Sequence, residues 1–337
     1  MLRWHKKIKI FFKYILAPVL GVWLFYSLFT QVRNQPHLKE SVALIKSAPF
    51  GIYAVKFWIV IALVFVNWGI EARKWQVLVR RLQHISFFTA YKAVLSGLTL
   101  SLNTPNRIGE YGGRILYIDE GKRLSAISLS IVGSISQLLI TLLLGSGGLL
   151  FIIYFQHTYN SSAALSVFWL KLFSLKILLT ISSVATLLLF IFYFRLKWIT
   201  FFLERIPRLK NFTRYIVVLE QFTPKVLLRL ISLSFFRYLV FVIQYILLLQ
   251  VFEVSISWID AFWVISVLFL VLAIVPSFAI ADLGIRGKFS IELLNLYSVN
   301  TIGIIGTTFG IWLINLFIPA IIGSLLIFGA RIFKNDK

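Results

Sequence analysis

The chain has 337 residues, 59% hydrophobic and 14% charged, with a mean hydropathy of +0.90 and a formal net charge of +22. Several apolar runs reach the ~20 residues a helix needs to cross a bilayer, so the expected fold is all-α and polytopic, with no room for a separate soluble catalytic domain. The chain has no cysteine, which excludes disulfides, thiolate metal sites and a cysteine nucleophile. Its basic residues sit beside apolar spans, as positive-inside charge facing an anionic bilayer, so nucleic acid is not an expected partner.

Arg3, Lys6, Lys7, Lys9 and Lys13 precede a first span from about Tyr14 to Phe29 and place the N-terminus in the cytoplasm. That run continues into Gln31, Val32 and Arg33 without a small-residue cleavage site, so it reads as a retained span rather than a signal peptide. A second span, about Tyr53 to Ile70, ends at the cytoplasmic side in Glu71-Ala-Arg-Lys-Trp.

Next comes a shorter apolar segment, Phe87 to Leu102, stopped at Pro105 and followed by Arg107, Gly109, Glu110, Gly112, Gly113 and Arg114. Proline removes a backbone donor and glycine permits unusual dihedrals, so a helix breaks here. Arg107, Glu110 and Arg114 are three and four apart and share one face if a helix restarts after the break. Cytoplasmic-type charge on both flanks predicts a re-entrant hairpin. The stretch is either one wall of a polar site, where broken helix and charge are tolerated inside a membrane protein, or a cytoplasmic loop with surface salt bridges.

A long run from Leu124 to Phe155 crosses outward, and Gly145, Gly147 and Gly148 permit a kink or close packing. Ala163 to Lys176 is placed at the outer interface, and Ile177 to Phe194 returns inward. The connector from Arg195 to Arg229, with eight basic and two acidic residues, is cytoplasmic. Leu230 to Gln250 crosses outward, carrying Arg237, which either snorkels to the cytoplasmic interface or joins an internal cavity. Phe262 to Val275 is a second apolar segment stopped by a proline, Pro276. Thr301 to Phe328 returns to Arg331, Lys334 and Lys337, putting the C-terminus in the cytoplasm, and Gly306 and Gly310 within it read as helix packing.

Shifted by 171 residues the chain matches itself. Phe88-Thr-Ala-Tyr91 falls on Ile259-Asp-Ala-Phe262 and Pro105 on Pro276; with one inserted residue, Glu110-Tyr-Gly-Gly-Arg114 falls on Asp282-Leu-Gly-Ile-Arg286. The first copy runs inward, hairpin, outward, and the second the reverse. This predicts about six spans plus two re-entrant broken hairpins in an inverted repeat, an arrangement that transporters use to place a site near the midplane. One membrane domain fills residues 1–337: a first span and outside loop (1–49), repeat 1 (50–162), a linking span and basic connector (163–220) and repeat 2 (221–337).

At Pro105-Asn-Arg-Ile-Gly-Glu110 the sequence resembles the lysylphosphatidylglycerol synthase transmembrane-region family, also called the flippase-like domain family, whose signature is Pro-x-Arg-x-Gly-Glu after an apolar segment. Pro276 to Arg286 is similar in placement to a second element of that family but departs from it, with Ser277 and Phe278 where glycines are usual and Gly287 where an acid is common. The resemblance implies a domain of the bacterial inner membrane that moves lipids between leaflets. It does not imply lysyl transfer, which belongs to a soluble domain.

The expected site is a lipid headgroup pocket. Arg107, Arg114 and Arg286, joined by Arg237, bind phosphate through paired hydrogen bonds. Glu110 and Asp282 orient the arginines or relay a proton, and Pro105, Gly109, Gly112, Pro276 and Gly284 break the helices. On the structural alternative, Arg107 and Glu110 merely neutralise each other in a buried break. His5, His37, His84 and His157 are scattered, so neither a metal nor another cofactor is expected. The expected activity is lipid flipping or carriage of an anionic lipid by alternating access. The rivals are an intramembrane transferase or hydrolase using Glu110 and Asp282, and an accessory subunit of a membrane enzyme.

Overall fold

The computed structural model describes residues 38–102, 104, 107–155, 165–198, 201, 205, 210–275 and 282–329. The expected first span, the basic C-terminal end, Pro105, Pro276 and the side chain of Asp282 lie outside the described residues. Among those described, every regular element is helical. In chain order these are α1 (Leu38–Ser47), α2 (Ala54–Val79), α3 (Phe87–Ser101), α4 (Gly109–Ile115), α5 (Arg123–Phe155), α6 (Leu165–Phe194), α7 (Lys210–Ile216), α8 (Pro224–Val251), α9 (Trp258–Ile274), α10 (Asp282–Leu294), α11 (Thr301–Trp312) and α12 (Ile318–Gly329). A π-helical turn, Leu313–Phe317, joins the last two.

Among the described residues, five segments are long and apolar enough to cross a membrane: Ala54–Val79, Glu120–Tyr154, Ser174–Phe194, Pro224–Val251 and Thr301–Ile327. Trp258–Ile274 is apolar but shorter. The protein is therefore an all-α polytopic membrane protein. Two boundaries differ from expectation. The second span continues past Ile70 to Val79, because Trp75, Leu78 and Val79 bury against the core on the same face as Glu71 and Lys74. The segment expected at the outer interface and the span after it form one helix, α6.

Local chemistry sets the helix starts. Ser86 Oγ accepts the Thr89 N–H at 3.1 Å to open α3, and Ser257 Oγ accepts the Asp260 N–H at 3.1 Å to open α9. These two caps stand at the same 171-residue offset as the sequence match. Pro224 opens α8 in the first turn, where its missing donor has no cost.

The helices assemble around an antiparallel pair, α2 and α8. Polar contacts cross this pair along its length: Lys56 Nζ donates to Gln250 Oε1 (2.8 Å), Gln244 Nε2 to the Val60 carbonyl (3.0 Å) and Arg237 Nε to Asn67 Oδ1 (3.0 Å). On either side, α9 packs on α5 and α3 packs on α12. Glycine permits both approaches. A Cβ on Gly148 would stand 2.6 Å from the Trp263 carbonyl oxygen, and one on Gly323 would stand 2.2 Å from that of Leu95. Gly310 likewise fits against Leu248, the packing role expected of it.

Candidate functional site

The site begins at the break between α3 and α4. Thr104 joins the two helices: its Oγ1 accepts the Gly109 N–H at 2.7 Å and lies 3.2 Å from the Leu100 carbonyl oxygen. The chain then folds back as an antiparallel helical hairpin. A Cβ on Gly113 would lie 2.3 Å from the Ser96 carbonyl oxygen and 2.5 Å from Gly97 Cα, so glycine alone lets the two backbones meet. Arg107 takes the turn at φ 58°, in the left-handed region that side chains other than glycine rarely adopt. The helix restarts at Gly109, so Arg107 precedes it and does not share the face of Glu110 and Arg114. Gly109 is at the break as expected. Gly112 lies within α4 and Gly284 within α10, each without close contact at its missing side chain.

The hairpin delivers Arg114 into a buried ion cluster. Arg114 Nη2 donates to Glu71 Oε1 at 2.7 Å and also pairs with Glu110 one turn earlier. Glu71 Oε2 meets Lys74 Nζ at 2.8 Å and Arg237 Nη1 at 3.3 Å. One carboxylate from α2 thus gathers cations from α2, α4 and α8. Glu71, Lys74 and Arg114 are each at most 3% exposed. Charges so placed are tolerable only when paired, since desolvating a lone ion costs several kcal/mol. Arg114 also lies over the Trp75 ring at 5.4 Å and Arg237 over Trp68 at 5.3 Å.

Arg237 extends the cluster into a neutral network. Its guanidinium can only donate, so Asn67 turns its oxygen to it, and Asn67 Nδ2 then donates to Asn315 Oδ1 at 3.2 Å. The same logic points Asn315 Nδ2 away, and it has no acceptor among the described residues. Asn315 sits in the π-helical turn, a distortion frequent at functional sites.

These groups border a cavity of about 580 Å³. Among the described residues its charged lining is four basic side chains, Lys74, Arg107, Arg237 and Arg286, and two acidic ones, Glu71 and Glu110. Its apolar lining includes Leu268, Phe269, Leu272 and Ile274 from α9. The space is thus bordered by both charged and apolar side chains.

The structure therefore brings Arg107, Glu110, Arg237 and Arg286 to one cavity, with Arg114 buried behind Glu71. Arg237 does not snorkel; it is held inside by Asn67, Gln137 and Glu71. Sequence reasoning missed Glu71 and Lys74, which read as the polar end of a span. The available signal was the apolar residues Trp75, Leu78 and Val79 beyond them, at helical spacing, which keep the helix in the core. Among the described residues, no group of three His, Asp or Glu side chains could hold a metal ion.

The family model described as Lysylphosphatidylglycerol synthase TM region matches residues 13–323 of the 337-residue chain. The chain belongs to that family. The match spans the ion cluster, the hairpin and the described cavity lining, so the family's membrane region is the part described here, and its function is lipid-related. No curated protein matches the chain.

Proposed function

We propose that the protein is a lipid flippase or lipid carrier, which moves an anionic phospholipid headgroup between leaflets through the cavity while the acyl chains stay in lipid. The observation that carries this reading is the cavity's mixed lining: among the described residues, four basic and two acidic side chains together with apolar side chains of α9. Guanidinium groups match phosphate oxygens through parallel hydrogen bonds, and the excess of cations favours a net anion. Membership of a family of lipid-related membrane regions supports the same class of substrate.

The reading extends to movement. The helix of each broken segment leans on the last span of the other half, α3 on α12 and α9 on α5, while α2 and α8 meet between them. Such an exchange is expected of an inverted repeat, in which one half rocks against the other around a central site. On this reading the α3–α4 hairpin and its α9–α10 counterpart are re-entrant from opposite sides of an inner membrane. Glu71 and Glu110 act as positioning residues, holding the arginines while no headgroup is present.

The test is exchange of an acyl-labelled fluorescent phosphatidylglycerol between leaflets of proteoliposomes. Wild-type protein should move the label, and Arg286→Ala should slow it by about tenfold or more. Conversion of the lipid to a new product, with no movement, would replace transport with intramembrane catalysis.

A further inference from the structure

Away from the ion cluster, and one helical turn from Arg286, the cavity has a second polar station made of three neutral hydroxyl groups. Tyr245 on α8, Ser290 on α10 and Thr308 on α11 all line it and are at most 4% exposed. Tyr245 Oη lies 2.9 Å from Ser290 Oγ and 2.8 Å from Thr308 Oγ1. Either hydroxyl of each pair can donate, and one arrangement satisfies all three hydrogens. Thr308 Oγ1 donates to the Ile304 carbonyl at 3.0 Å, so toward Tyr245 it accepts. Tyr245 uses its single hydrogen there and accepts from Ser290. In this arrangement Ser290 is left with lone pairs and no hydrogen to give.

Donors stand nearby. Trp68 Nε1, Trp312 Nε1 and Asn315 Nδ2 are buried, border the same cavity and have no acceptor among the described residues. Thr308, Trp312 and Asn315 follow at four and three residues along α11 and the π turn, so they form one stripe. That stripe runs about 10 Å, from the hydroxyl station to the amide that ends the charged network.

This inference rests on the headgroup reading above and deepens it: the geometry points to a headgroup whose phosphate lies at the arginines and whose remaining part is a neutral polyol, a glycerol or sugar, held at Tyr245, Ser290 and Thr308. A bare phosphate would use cations and donors but not an acceptor such as Ser290. An ammonium-bearing headgroup would meet the lining cations Lys74, Arg107, Arg237 and Arg286, while both lining carboxylates among the described residues already hold cations. Hydroxyl groups, which donate and accept, are the chemistry that uses both kinds of neutral partner. Leaving buried polar groups unmatched is costly, and such sites discriminate strongly against analogues that lack the hydroxyl.

The experiment is displacement of acyl-labelled fluorescent phosphatidylglycerol from the purified full chain in detergent. The competitors are phosphatidic acid, phosphatidylglycerol, phosphatidylinositol, phosphatidylserine and lysylphosphatidylglycerol of matched acyl chains, with sn-glycerol 3-phosphate as the lipid-free form. The polyol lipids should compete about tenfold better than phosphatidic acid, and the two amine-bearing lipids worse than it. Thr308→Val and Ser290→Ala, made separately, should each shrink the gap between phosphatidylglycerol and phosphatidic acid. Competition by sn-glycerol 3-phosphate with the same variant dependence supports the station, with a soluble polyol phosphate as its source. Equal potency of phosphatidic acid and phosphatidylglycerol, or preference for lysylphosphatidylglycerol, overturns the polyol assignment and leaves the anionic headgroup site standing. Failure of folded protein to bind the fluorescent lipid at all overturns that site as well.

Discussion

Glu71 Oε1 and Arg114 Nη2 meet at 2.7 Å, although one belongs to the middle of a long span and the other to a seven-residue helix after a break. This contact ties the α3–α4 hairpin to the central α2–α8 pair. Arg237 reaches the other oxygen of the same carboxylate from α8, so one anion holds three parts of the fold together.

Removing that anion should be expensive. Glu71→Gln leaves Lys74, Arg114 and Arg237 gathered with Glu110 as the remaining described carboxylate of the cluster, and breaking a buried pair costs about 3–5 kcal/mol. Thermal unfolding in detergent should show a large fall in Tm. Adding Lys74→Met, which removes a cation of the same pair, should recover part of the loss. If the double variant is as unstable as the sum of two singles, the cluster is not coupled.

Arg107 offers a separation of stability from function. It occupies a left-handed backbone position, where glycine carries no steric penalty and other residues cost about 1 kcal/mol or more. Arg107→Gly should leave Tm unchanged or raised, while lipid movement falls by about tenfold as a cavity cation is lost. A loss of Tm together with activity would assign Arg107 to the fold instead.

Close backbone approach makes a third test. Gly113→Ala puts a Cβ 2.3 Å from the Ser96 carbonyl oxygen, a clash that should cost about 1–3 kcal/mol and open the hairpin. Gly121→Ala, with nothing within 4 Å of the new atom, is the control and should stay within about 0.5 kcal/mol of wild type. Paired Tm measurements decide it.

Topology can be probed because the chain has no cysteine. Ile108 and Gly284 are exposed, the first at the start of α4 and the second in the first turn of α10, one in each broken segment. Ile108→Cys and Gly284→Cys should react with membrane-impermeant maleimide from opposite sides of sealed vesicles. Labelling of both from one side would rule out the inverted repeat.

Most of the architecture was legible in the sequence because bilayer-spanning helices carry one strong signal, sustained hydropathy. The break between α3 and α4 was legible too, through residues that free the backbone such as Gly109. Partnering was not. Glu71 and Lys74 looked like a solvated helix end, since a charge near a span boundary has the same local signature whether it meets water or a buried arginine. Arg237 was similarly ambiguous; only the placement of Asn67, Gln137 and Glu71 around it resolves its direction. The hydroxyl station was invisible in sequence, because Tyr245, Ser290 and Thr308 come from three helices with no shared motif.

The most direct measurement is translocation of natural lipids in proteoliposomes made from the host's own lipid extract, with moved species identified by mass spectrometry, for wild type and Arg107→Gly. The account expects wild-type protein to move net-anionic lipids and the variant, equally stable, to move them about tenfold more slowly. Equal movement by both proteins, or no movement of any lipid by folded wild type, would contradict it.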